Sequence, residues 1–309
     1  MAAQTPRILI AHCGVDASPE FITTAVEGLD TFDQTIVTST GTELRSTLAD
    51  LGREDTENLH IVVMPMTSGR NLPLIADTAK TCQWFKRNHS NVRIALAAPP
   101  LGATTTLAFL RATLRRETSA DDIAVICSAA IDPFADAELF RIARLAWTHS
   151  SGADVVVAFD DVYPSVSQTL APYKATLDDE SLRPTRRSTV IRADLQTAEN
   201  QKPLITSTAL ATAISQSAKT ALHLLQSHDD DGIEAALLAD HEHGYAHSHG
   251  EEDGGHGHSH GHVHGHGHHH HGHVHGHSHG HGHNHHHHHH SADVHTEFDL
   301  GNIDADATE

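Results

Sequence analysis

Short apolar runs alternate with amphipathic stretches along the first three quarters of the chain. Residues 7–11 (RILIA), 34–39 (QTIVTS), 60–66 (HIVVMPM) and 92–98 (VRIALAA) are compact, β-rich runs. Each has the near-continuous apolar character of a strand covered on both faces. Between them, apolar residues recur at helical spacing. Ser18-Pro19-Glu20 opens the first such stretch, with Ser as cap and Pro at the first helical position, and it runs to about Leu29. Helices are predicted next over 42–51 (Leu44, Leu48, Leu51), 74–87 and 106–116. The alternation then recurs: strands at 123–127 (IAVIC), 154–159 (DVVVAF) and 189–193 (TVIRA), helices at 136–147 and 204–225. Strands alternating with helices imply α/β architecture with parallel, helix-covered sheets, which bind ligands at the carboxyl ends of their strands.

A faint internal repeat divides this body. Pro73-Leu-Ile-Ala-Asp-Thr-Ala matches Pro203-Leu-Ile-Thr-Ser-Thr-Ala, and His12-Cys-Gly-Val-Asp16 echoes Ser128-Ala-Ala-Ile-Asp132. The matches occur in the same order, so two related flavodoxin-like halves are expected, residues 1–118 and 119–226. Residues 171–188, with their prolines and mixed charges, read as an insertion in the second half.

The final quarter, 227–309, has another character. It is expected to be a disordered tail, acidic and rich in histidine, with no packable core. The formal net charge of −20 is concentrated there, since no Lys or Arg follows Lys219. Most of the 33 histidines lie in it, among them His256, His258, His260, His262, His264, His266, His268, His273, His275, His277, His279, His281 and His283. Imidazole is the commonest metal ligand, and these positions are candidate ligands for divalent metal. Glycine separates many of them, so several ions should be held in exchanging geometries, as a buffer holds them. Six consecutive histidines, His285 to His290, close the run and are followed by ordinary sequence, so they read as native.

Charge and cysteine usage exclude other classes. There is no basic footprint for nucleic acid. No apolar run approaches the length needed to span a bilayer, which argues against a membrane partner and against a transporter loop. Cys13, Cys82 and Cys127 form no CxxC pair and no disulfide framework, and no signal peptide is read at the start, so a cytoplasmic location is expected.

The candidate chemistry lies at strand ends. His12 terminates the first strand beside a turn, where a neutral imidazole serves as base, as metal ligand, or as both. Ser68, Gly69, Arg70 and Asn71 form a polar loop after the third strand and are the candidate substrate-binding residues. Arg grips carboxylates bidentately, so Arg70 is the candidate for an anionic substrate. Cys13 reads as a buried structural thiol, Met64 and Met66 as packing, and Asp132 and Glu138 as a turn and a helix-start acid.

Several of these stretches resemble the sirohydrochlorin cobaltochelatases and related class II chelatases of cobalamin and siroheme biosynthesis. Ala11-His12-Cys13-Gly14-Val15-Asp16 is similar to that family's strand followed by Gly-His-Gly-Ser-Arg-Asp. Val63-Met64-Pro65-Met66 with Gly69-Arg70-Asn71 stands in the place of its second active-site loop. Ala98-Pro99-Pro100-Leu101-Gly102 matches a short family motif, and the runs Ile131–Trp147 and Val157–Val166 resemble the start of its second half. The resemblance covers most of the body to about residue 170. It implies two α/β halves with a tetrapyrrole between them and His12 as the catalytic histidine. The metal would be a substrate, Co²⁺ first, with Ni²⁺, Fe²⁺ or Zn²⁺ as alternatives, and the tail a reservoir; oligomeric state is left open. The pattern departs where the family has a second histidine and this chain has Asn71, which takes no proton at neutral pH. The alternative reading is a non-catalytic cobalt or nickel metallochaperone or storage protein.

Overall fold

The structure is a computed structural model and describes residues 6–53, 59–148, 152–174 and 187–240. Histidines 256–290 and most of the expected 171–188 insertion lie outside the described residues.

Two parallel sheets follow one another. The first comprises β1 (Arg7–Cys13), β2 (Gln34–Thr38), β3 (His60–Met66) and β4 (Arg93–Leu96), in the order β2-β1-β3-β4. The second comprises β5 (Ile123–Ser128), β6 (Asp154–Phe159) and β7 (Ser188–Arg192), in the order β6-β5-β7. The helices are α1 (Pro19–Val26), α2 (Gly41–Leu51), α3 (Leu72–Asn88), α4 (Ala103–Glu117), α5 (Pro133–Thr148), α6 (Val166–Leu170), α7 (Ser207–His228) and α8 (Ile233–Leu237). The expected α/β fold of two parallel-sheet halves is the fold observed. No described helix is long and apolar enough to cross a membrane.

Sequence explains the elements locally. Every residue of β3 is buried, as a central parallel strand requires. Alternate residues serve opposite faces. Leu9, Ala11, Val62 and Met64 enter one core, while Ile8, Ile10, Ile61 and Val63 enter another with Leu44, Leu48 and Phe85. Helix starts carry short polar caps: Ser18 Oγ accepts from Phe21 N at 3.2 Å, and Thr206 Oγ1 from Ala209 N at 3.3 Å.

The halves share helices. α4 packs on α5 and reaches β7, while α7 crosses back onto α1, β3 and β4. The core that holds Leu9 and Val62 therefore also holds Ile126, Leu139, Ile214 and Leu222. One expectation needs correction. The tail does not begin at 227: α7 continues to His228, and Ile233, Ala236 and Ala239 are buried in the core that contains Phe85. The cause is the i, i+3, i+6 spacing of these three apolar residues, together with a Lys86–Asp231 ion pair and a 2.8 Å bond from Leu96 N to Asp231 O. As expected, His12 stands at the carboxyl end of β1, in register with Thr38 on β2 and Pro65 on β3.

Candidate functional site

The carboxyl end of β1 is the natural starting point, because the sheet brings β1, β2 and β3 side by side there. His12 is 4% exposed, and its Nδ1 lies 3.0 Å from Thr38 Oγ1. Burial lowers its pKa, against smaller opposing effects of a Thr38 hydrogen bond and the Glu43 charge. The imidazole is therefore neutral at pH 7. Among the described residues, no group hydrogen-bonds its Nε2. Cys13, next along, is a closed thiol: burial, then the charges of Asp16, Glu20 and Glu43, push it up to about 12.

Three residues after Cys13, Asp16 is fully buried and organises the loop after β3. It accepts from Thr67 Oγ1 at 2.6 Å, from Asn71 Nδ2 at 2.9 Å and from Ser68 N at 3.3 Å. Burial raises its pKa, opposed by the bonds from Asn71 and Thr67 and by the Arg70 charge. Gly14 makes the approach possible, since a Cβ there would lie 2.7 Å from Asn71 Nδ2 and 2.9 Å from Asp16 Oδ1.

Each expected substrate residue now has a place. Asn71 caps α3, its Oδ1 accepting from Leu74 N at 3.2 Å. Ser68 is buried; its carbonyl accepts from Thr106 Oγ1 at 2.9 Å, and its own Oγ is without a hydrogen-bond partner among the described residues. Gly69 has φ +87, and a Cβ there would lie 2.7 Å from Ala103 N, so the residue serves the contact between the loop and the start of α4. Arg70 departs most from expectation. It is 2% exposed, and its guanidinium donates to Ala135 O at 2.7 Å, Ser128 Oγ at 2.5 Å and Ala129 O at 3.3 Å, with Asp136 at 3.8 Å. Its two terminal nitrogens face the second half, while its Nε is without a hydrogen-bond partner among the described residues.

The second half answers with its own strand-end loops. Leu195 N donates to Asp16 O at 2.9 Å, and Ser18 N donates to Leu195 O at 3.1 Å. Asp194, 1% exposed, accepts from Ser128 Oγ at 2.9 Å, Ala129 N at 2.7 Å and Gln196 N at 3.1 Å. Thus the β1 loop meets the β7 loop, and the β3 loop meets the β5 loop. Each contact joins a strand-end loop of the first sheet to one of the second. A cavity of about 510 Å³ opens beside this junction at the ends of β5, β6 and β7, and His12 does not line it.

Sequence reasoning missed Asp16, Asp160, Arg192 and Asp194 as polar centres of the junction. One signal was available: Arg192 interrupts an apolar strand, and a strand-embedded guanidinium needs buried carboxylate partners. Among the described residues, no three His, Cys, Asp or Glu side chains are grouped so as to hold a metal. Neither a scan against protein-family models nor a search of curated proteins finds a match for this chain.

Proposed function

We propose that the chain inserts a divalent metal, Co²⁺ first, into sirohydrochlorin or a related tetrapyrrole, with its histidine-rich tail as metal reservoir. The reading rests on one observation: a neutral imidazole at the end of β1 whose Nε2 has no hydrogen-bond partner among the described residues. Insertion requires two pyrrole N–H protons to leave and the metal to shed water. A neutral His12 accepts such a proton, or holds the ion as it changes partners. The test is absorbance of full-length protein mixed with sirohydrochlorin and Co²⁺. Insertion that vanishes in His12→Ala supports the reading; insertion unaffected by that change removes His12 from it.

A second reading, a non-catalytic metallochaperone or store, is favoured by a different observation. Where the substrate contacts were expected, Asn71 has its side-chain amide engaged within the fold, and the two terminal nitrogens of Arg70 donate to the second half. It requires tight Co²⁺ or Ni²⁺ binding with no change in the tetrapyrrole spectrum.

A further inference from the structure

The cavity at the ends of β5, β6 and β7 has a chemistry of its own. Ala129, Ala130 and Ala198 line it with small side chains, and Val15 and Val162 stand at it while 60% and 46% exposed. Its about 510 Å³ lies within the range of small-molecule sites. The polar lining includes Asp160, Asp161, Gln196 and Arg192.

Among the described residues that line the cavity, Arg192 is the only basic one, and it has no donor to offer. A guanidinium carries five N–H groups. Nε donates to Asp194 Oδ1 at 2.9 Å. Nη1 donates to Asp160 Oδ1 at 2.7 Å and Gln201 Oε1 at 3.2 Å, and Nη2 to Asp160 Oδ2 at 3.0 Å and Asp194 Oδ2 at 2.5 Å. All five are taken. Against that one positive charge stand Asp160, Asp194 and Asp161, so the local balance is negative. A cleft lined by one sign of charge with low-dielectric walls concentrates that field. An anion would meet repulsion and find no free donor on Arg192. A bare metal ion is disfavoured as well, because no metal-holding group of acids occurs among the described residues.

We propose that this cavity binds an organic cation: an ammonium or amidinium group facing Asp160 and Asp161, carried on an apolar body that covers the alanines and the two valines. The proposal does not depend on the chelatase reading, since His12 lies outside the cavity.

Benzamidine and benzoate, near-isosteric and opposite in charge, are the probes, measured against full-length protein by calorimetry at physiological salt. Saturable binding of benzamidine at one site, with none of benzoate, is expected. Asp161 is exposed, so Asp161→Asn leaves the fold intact and should weaken benzamidine roughly fivefold, the scale of one partly solvated ion pair. Ala198→Trp, filling the cavity from an exposed position, should abolish binding, and His12→Ala should leave it unchanged. Four results would overturn the proposal: no saturable binding, equal binding of benzoate, wild-type binding in both cavity variants, or displacement of benzamidine by equimolar Ca²⁺.

Discussion

Asn71 Nδ2 donates to Asp16 Oδ1 across 2.9 Å, and this bond decides what residue 71 can be. The partner is a fully buried carboxylate, and the same Asn side chain also caps α3 through its carbonyl oxygen. Exchanging the two side chains keeps a donor facing an acceptor. In Asp16→Asn alone, two amide groups meet with unmatched donors, whereas Asn71→Asp alone opposes two buried carboxylates. We expect each single change to cost about 1–3 kcal/mol, the penalty of an unmatched buried polar group. The double change should recover more than half of the summed loss, since Asp is a good helix cap. Urea midpoints of the four proteins check this, and strict additivity would contradict it.

Arg70 joins the two halves. Removing it leaves Ser128 Oγ and the carbonyls of Ala129 and Ala135 facing a void, with Asp136 unpaired on that side. Arg70→Met is expected to destabilise by about 3–5 kcal/mol, as for the loss of one partner of a buried ionic contact. Arg70→Lys should recover little, because one ammonium cannot replace a planar fork that reaches several acceptors. Chemical denaturation of both variants measures the effect.

Gly69 and Gly102 form a matched pair for testing backbone constraint. At Gly69, φ is +87 and a Cβ would press on the backbone of Gly102 and Ala103 at 2.7–2.8 Å; at Gly102 a Cβ meets nothing within 4 Å. Gly69→Ala should therefore cost about 1–3 kcal/mol or more. Gly102 caps α4 with no side-chain bond, so Gly102→Ser should gain a few tenths of a kcal/mol. Thermal melts of the two variants should move in opposite directions.

The fold was legible because its signals are local. A covered parallel strand such as β3 is apolar throughout, and Ser18-Pro19 marks a helix start whatever lies beyond. What reached across the chain was not. Arg70 read as a loop arginine open to substrate, because nothing near it in sequence reveals that Ser128 and Ala135 will be its acceptors. Asp16 read as the end of a motif, since its three donors come from the loop after β3. The crossing of α7 onto the first sheet was hidden for the same reason: helical spacing fixes which face is apolar but not which sheet receives it. Ile233, Ala236 and Ala239 were overlooked because a short helix inside an acidic stretch is dominated, in composition, by its surroundings.

The pH response should separate the body from the tail. Burial lowers the pKa of His12, and also of His60, where the charges of Arg93 and Arg7 add to the effect. The unfolded chain, with imidazoles near pKa 6.5, takes up protons first as pH falls. The stability that neutral His12 and His60 contribute is thus complete above about pH 6.5 and is lost progressively below it, until the folded imidazoles themselves protonate. Urea midpoints at pH 7.5 and 5.5 should differ, and His12→Gln should shrink the difference by removing one of the two contributors. A metal load held by imidazoles falls as protons compete below about pH 6.5. At pH 6, then, bound Co²⁺ per chain should fall well below its value at pH 7.5. Insertion supported by excess free Co²⁺ should fall less than this loading, because burial lowers the His12 pKa below the ordinary imidazole value. Equal Co²⁺ loading at both pH values would contradict the reservoir, and parallel decline of loading and insertion would contradict the depressed His12 pKa.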